Sequence, residues 1–205
     1  LENVDRLLKS PANQRGRDFA VMLQSLNDLG YAVEWRVINA AEYGMPQRRR
    51  RVFFIGYHKS TNIYKRLHKS NKIDWLSKEG VIANAFPVLK INSVQEVELK
   101  GNLVEITNNF NKNGKLSPFN NTGFLLNGKV YTAKTEPFYN GKRTVLADIL
   151  QNGEVSDDFF IKDKPLKTIK KVINNDGSLK IISAEKHMWE YLKGAKKEKR
   201  KTKDG

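Results

Sequence analysis

The chain has 205 residues, with 37 Lys and Arg against 22 Asp and Glu, for a net charge of +15. That length suits one ordinary domain or two small ones, and the charge favours a polyanionic partner, most simply nucleic acid. The absence of cysteine excludes disulfides, thiolate metal sites and a cysteine nucleophile within these residues; His58, His68 and His187 make no metal-ligand spacing, and no apolar run approaches the roughly 20 residues of a membrane span.

The chain opens on Leu1-Glu2-Asn3-Val4, with no signal-peptide pattern and no strand before the acidic residue, so it reads as an excised piece of something longer. Ser10-Pro11 marks a loop or the start of a helix. From about Gly16 to Leu29, Phe19, Met22, Leu23, Leu26 and Leu29 recur at helical spacing, and Gly30 stands where a helix C-cap glycine belongs. Tyr31, Val33, Trp35 and Val37 alternate with Ala32, Glu34 and Arg36, which predicts a strand with one more buried face. Asn39 to Pro46 reads as a loop. Arg51 to Tyr57 is a second strand, apolar enough to be interior, and the short connection lets the two strands pair antiparallel.

Between loop and strand stands Gln47-Arg48-Arg49-Arg50-Arg51. Successive side chains in a strand point to opposite faces. If the run is already extended at Gln47, then Gln47, Arg49 and Arg51 share one face and Arg48 and Arg50 the other. The first set makes a row of fixed donors suited to an electron-rich planar ligand. The second set suits the surface or a phosphate. Trp35 and the Phe53-Phe54 pair read as core.

After about His58, helical periodicity weakens and Lys, Asn, Ser and Thr become frequent. Phe124-Leu125-Leu126, Asn127-Gly128 and Val130-Tyr131 spell a hairpin. Thr144 to Leu150 suits a short helix. Small strands are expected within Ile161 to Ile182 around an Asn175-Asp176-Gly177 turn, and a helix capped by Ser183 and ending at Gly194. A basic tail runs from Lys196 to Gly205. Residues 1–58 carry a net charge of +3 and residues 59–205 carry +12, so the second region is the expected polyanion surface.

Glu2-Asn3-Val4, Gly30-Tyr31, Asn39-Ala40, Tyr43-Gly44, Pro46-Gln47 and Arg49-x-Arg51 appear in the order seen in DNA cytosine-5 methyltransferases. Residues 1 to about 57 resemble the stretch from that family's ENV motif to its QxRxR motif. Trp189 to Gly205 is similar to a stretch that leads into the family's later motifs. The resemblance implies an α/β fold. Residues 1–58 would be the C-terminal part of a catalytic domain, a piece of a Rossmann-like methyltransferase sheet (helix, strand, strand). Residues 59–205 would be a smaller, irregular, β-rich α+β target-recognition domain, incomplete at its end.

The resemblance also implies a chemistry. A cysteine thiolate attacks C6 of a flipped cytosine, and C5 takes a methyl group from S-adenosyl-L-methionine; preorganised donors stabilise the charge that enters the ring. Catalytic roles fall to Glu2, on the N3 and exocyclic amino edge of the base, to Arg51, donating to O2, and to Arg49, supporting the loop that carries the nucleophile. Asn3 and Gln47 would support them. No Gly-x-Gly occurs, and the nucleophilic Pro-Cys loop is not among these residues, so the chain alone is expected to be inactive and to lack the cofactor loop. No metal is expected.

Double-stranded DNA is the implied partner, in the cytoplasm of a bacterium and within a restriction-modification system. Phosphate contacts are expected from Arg143, with Lys142 beside it, and from Lys193, Lys196, Lys197, Lys199, Arg200, Lys201 and Lys203. The alternative reading is a non-catalytic, basic nucleic-acid-binding module.

Overall fold

The computed structural model describes residues 1–150, 156, 171–172 and 180–181. The chain divides into two compact units, Leu1–Leu150 and Gln151–Gly205. The first is a mixed α/β unit built on a six-stranded sheet.

The order along the first unit begins with β1 (Glu2–Val4), α1 (Arg17–Asp28), β2 (Tyr31–Asn39) and β3 (Arg50–His58). Short helices follow: α2 (Asn62–Lys69), α3 (Lys72–Asp74) running into a π-helical turn (Trp75–Glu79), and α4 (Val81–Ala85). Then come β4 (Val88–Glu98), α5 (Leu103–Asn109), the hairpin β5 (Thr122–Leu126) and β6 (Lys129–Pro137), and α6 (Leu146–Ile149). Across the sheet the order is β1-β3-β2-β5-β6-β4. Every pairing in it is antiparallel. Strands from both sides of residue 58 therefore share one sheet.

Helix α1 forms where the periodicity predicts it, because Phe19, Ala20 and Leu23 share a face and are fully buried against the sheet. It stops at Gly30, whose φ of +80° is open to glycine at no steric cost, and whose N–H reaches the Asn27 carbonyl at 2.9 Å. Its face meets Val33, Trp35, Val52 and Phe54. The Phe19 ring stands edge-on to Trp35 at 5.1 Å. The opposite face of the sheet is covered by Leu67, Trp75 and Leu76 from the segment after β3, packed on Ala32, Tyr57, Phe124 and Ala133. This second layer is the physical reason β2 departs from its expected pattern. Ala32, Val33, Glu34, Trp35 and Arg36 are all buried, so both faces of the strand are interior.

The hairpin turns on Asn127 and Gly128, both at positive φ (51° and 75°), as a two-residue turn of matching twist requires. The expected loop from Asn39 to Pro46 contains a single 3-10 turn, Ala40–Tyr43. The expected helix within Thr144–Leu150 is the four-residue α6. Glu2–Val4 is itself a strand, paired with the far side of β3 in the register Glu2↔Phe53, Asn3↔Val52, Val4↔Arg51.

In the second unit, Lys171–Val172 and Lys180–Ile181 pair in parallel. The expected turn at Asn175-Asp176-Gly177, the helix after Ser183 and the basic tail lie outside the described residues.

Candidate functional site

Two groups of charge sit on the β2–β3 pair, one at its mouth and one in its middle. The mouth is made where β1 meets the start of β3. In the register above, Glu2 and Arg51 are diagonal neighbours on one face, close enough for long side chains to meet. Arg51 Nε lies 2.7 Å from Glu2 Oε1, and Arg49 Nη2 lies 3.8 Å from the same oxygen. The Arg51 Nη1 donates to its neighbour's carbonyl, Arg50 O, at 2.7 Å, which fixes the plane of the guanidinium. Side-chain exposure is 43% for Glu2, 50% for Arg49 and 25% for Arg51, so the cluster is open to a ligand.

The extended run expected from Gln47 does not occur. The strand begins at Arg50, and the Arg49 N–H turns back to the Gln47 carbonyl at 3.0 Å. Strand alternation therefore applies to Arg50 and Arg51 but not to Arg49, which reaches Glu2 from a tight turn. Arg50 faces away, and its Nε lies 3.2 Å from Asp5 Oδ2. Sequence reasoning missed Asp5 as a counter-ion, although its place one residue beyond Val4, on the chain leaving the sheet, was a signal. The Asn3 side chain accepts from the Val4 N–H at 2.7 Å, a local bond at the strand end. Gln47 is exposed and gives its carbonyl to the Arg49 turn.

An aromatic group adjoins the mouth. Phe53, directly opposite Glu2, is 36% exposed and stacks on Phe86 at 6.4 Å between centroids, with the rings 19° from parallel. Tyr43 stands edge-on to Phe86 at 5.1 Å. Only Phe54 of the Phe53-Phe54 pair is core, since alternation sends Phe53 to the face of Glu2 and Arg51.

The middle of the pair is a different chemical object. Glu34, 1% exposed, accepts from Tyr57 Oη–H at 2.7 Å, from Trp75 Nε1–H at 3.2 Å and from the Ile82 N–H at 3.2 Å. Arg36, also 1% exposed, donates to Thr122 Oγ1 at 3.2 Å, to the Phe86 carbonyl at 2.6 Å and to the Leu76 carbonyl. Burial raises the Glu34 carboxyl above the usual carboxylate range, against the hydrogen bonds it accepts. Burial lowers the Arg36 guanidinium, against nearby Tyr43 and Glu34. Tyr57 is pushed up, first by burial and then by the adjacent Glu34. These groups tie the 62–86 layer to the sheet and have no opening for a substrate.

Of the expected phosphate-contacting residues, Arg143 is exposed, but its Nη1 lies 3.2 Å from the Ala41 carbonyl and its guanidinium is 5.8 Å from the Tyr139 ring centre. Lys193, Lys196, Lys197, Lys199, Arg200, Lys201 and Lys203 lie outside the described residues. Among the described residues, no three or more acidic or histidine side chains gather as a metal site, and no helix is long and apolar enough to cross a membrane.

Comparison with known proteins gives these residues a context. The family model of the C-5 cytosine-specific DNA methylases matches residues 1–204. The Type II methyltransferase M.Sau3AI of Staphylococcus aureus is 42% identical over 208 aligned residues, which take in all of this chain and 44% of that protein. M.NlaIV of Neisseria lactamica is 44% identical over 64 residues, covering 29% of this chain and 15% of that protein. M.BsuFI of Bacillus subtilis is 43% identical over 63 residues, covering 31% and 15%. No solved structure matches. The chain thus spans less than half the length of these curated relatives. It belongs to the C-5 cytosine-specific DNA methylase family.

Proposed function

We propose that this member of the C-5 cytosine-specific DNA methylase family supplies the base-binding edge and the target-recognition half of a DNA cytosine-5 methyltransferase of a bacterial restriction-modification system. The observation that carries the reading is the convergence of Arg51 and Arg49 on the carboxylate of Glu2, at 2.7 and 3.8 Å, in an open position.

A cytosine ring offers an acceptor at O2, an acceptor at N3 and an exocyclic amino donor. A carboxyl group and a guanidinium side by side match that edge. Arg51 donates to O2 and stabilises the negative charge that enters the ring on thiolate attack at C6. Glu2 accepts from the exocyclic amino group and, with its carboxyl carrying a proton, donates to N3. Arg49, from its turn, holds Glu2 in place and supports the loop bearing the nucleophile. Such an edge is reached only by a base taken out of the duplex, so the substrate is a flipped cytosine. Residues 1–58 would be the C-terminal part of the catalytic domain, contributing α1 and the antiparallel pair β2–β3 to a Rossmann-like sheet. Residues 59–205 would approach the groove and read sequence there.

The methyl donor implied for the family is S-adenosyl-L-methionine. The residues described here do not fit it. Among them no glycine-rich turn leads from a strand into a helix, and one groove, lined by Glu98, Lys100, Gly101, Glu105, Ile106, Asn109 and Phe110, has a wall with two carboxylates. The nucleophile is likewise absent, since the chain has no cysteine. Both belong to other segments of a longer enzyme.

Two measurements test the reading. The purified chain, incubated with DNA and radiolabelled donor, is expected to transfer no methyl group. Joined to family segments that carry the Pro-Cys and glycine-rich loops, it is expected to methylate cytosine at C5 in one duplex sequence. A joined protein that binds DNA but methylates nothing while remaining folded would overturn the proposal.

A further inference from the structure

The segment that follows β6 folds back onto the turn that presents the arginines. The Thr144 N–H donates to the Gly44 carbonyl at 2.8 Å, and Arg143 Nη1 donates to the Ala41 carbonyl at 3.2 Å. The Tyr139 ring packs closely against Gly44. A Cβ added there would sit 2.4 Å from the ring, and Gly44 is held at a φ of +84°, so both space and backbone demand glycine. The segment is also closed on itself. Tyr139 Oη–H donates to the Lys142 carbonyl at 2.9 Å, and the Arg143 guanidinium covers the Tyr139 ring.

The turn passes this contact on. The Ala40 N–H, one residue before Arg143's acceptor, donates to the Arg49 carbonyl at 3.0 Å, and the Met45 N–H closes the turn on the Ala40 carbonyl at 3.1 Å. Arg49 is the residue whose guanidinium approaches Glu2. A continuous set of bonds therefore runs from Arg143 through Ala41 and Ala40 to the backbone of Arg49. Nothing in the sequence signals it, because the two ends are about 100 residues apart and the contact is made to a carbonyl.

We infer that Arg143 is a positioning residue. With Tyr139 it clamps the Ala40–Gly44 turn so that the recognition half sets where Arg49 stands. The inference rests on the cytosine-binding reading above, and it reassigns Arg143 from the phosphate contact that its sequence suggests. Coupling of this kind lets the catalytic edge take its shape only when the recognition half is in place.

The test uses Arg143→Ala and Arg143→Lys in two settings. In the chain itself, amide exchange at Ala40 and Met45 is measured; Arg143→Ala is expected to speed it about tenfold, as loss of one supporting hydrogen bond would. In the joined methyltransferase, Arg143→Ala is expected to lower kcat about 10- to 100-fold, the scale of a misplaced catalytic group, with the KM for DNA changed less than about threefold. The salt slope of DNA binding is expected to stay unchanged, and Arg143→Lys to recover most of kcat. A salt slope lowered by about one charge, with exchange unaltered, would return Arg143 to phosphate binding and overturn the clamp. An unchanged kcat would also overturn it. If the unmodified joined protein transfers no methyl group, the cytosine reading fails, while the exchange measurement on the chain still decides whether the clamp exists.

Discussion

The middle and the mouth of the β2–β3 pair carry similar charges and use them in opposite ways. In the middle, Glu34 and Arg36 are each satisfied by neutral partners: two side-chain donors and an amide for the carboxylate, a hydroxyl and two carbonyls for the guanidinium. At the mouth, Glu2, Arg49 and Arg51 are satisfied chiefly by one another and stay open to water. A buried ion whose polar atoms each have a partner within the fold presents none of them to a substrate. An exposed pair can exchange its partner for one. The distribution of hydrogen bonds, more than the identity of the residues, separates the two kinds of charge.

The largest effect expected from this contrast is on stability in the middle. Glu34→Ala leaves Tyr57 Oη–H, Trp75 Nε1–H and the Ile82 N–H buried without an acceptor, and Arg36 without its nearby carboxylate. Breaking such a buried arrangement costs about 3–5 kcal/mol. Urea denaturation of the chain measures it. A loss no greater than that of Glu2→Ala would erase the distinction.

Next comes Arg51→Ala at the mouth. Its guanidinium is a quarter exposed and its partner nearly half exposed, so solvent screening limits the stability change to about 1 kcal/mol or less. Methyl transfer by the joined enzyme, in contrast, is expected to fall about 100-fold, the usual cost of removing one donor to a developing charge. Denaturation and steady-state kinetics on the same variant separate the two. A variant that unfolds readily and keeps its kcat would invert the comparison.

Much of this arrangement is legible in the sequence wherever the contacts are local. Helix α1 follows from the spacing of Phe19, Leu23 and Leu26 and from Gly30, and the hairpin follows from Asn127-Gly128. The Glu2, Arg49 and Arg51 cluster was legible because motifs far apart in sequence mark it. The burial of Glu34 and Arg36 was not. Alternation along β2 assigned them to a less buried face, and their cover comes from residues 62–86, where short helices and a π-helical turn leave no clean period to read. The pairing of β1 with β3 and the seat of Arg143 on Ala41 share that difficulty, since each depends on tertiary placement.

A smaller effect is expected from pH. The folded state raises the Glu34 pKa, chiefly through burial, so the fold favours its neutral form. The sign follows from linkage: this contribution to stability is fully present below the ordinary glutamate value and is lost as pH rises through the raised, folded one. Glu34→Gln keeps an acceptor and removes the titration. It is expected to flatten the stability profile on the alkaline side of the ordinary glutamate value, measured as Tm against pH. An identical slope in the variant would show that burial of Glu34 is not what shapes the profile.

The smallest effect concerns Arg50, and it tests parity along β3. Arg50 and Arg51 are adjacent and both begin the strand, yet alternation sends one to Asp5 and the other to Glu2. The Arg50–Asp5 pair is 56% and 37% exposed, so Arg50→Ala is expected to change stability by less than about 1 kcal/mol. Because Arg50 lies away from the face proposed to bind cytosine, kcat in the joined enzyme is expected to change less than about threefold, against about 100-fold for its neighbour. A large loss of kcat at Arg50 with stability intact would mean that the run of arginines acts as a whole. In that case Arg51 would owe its role to the density of positive charge around the base, and its side of the strand would not matter.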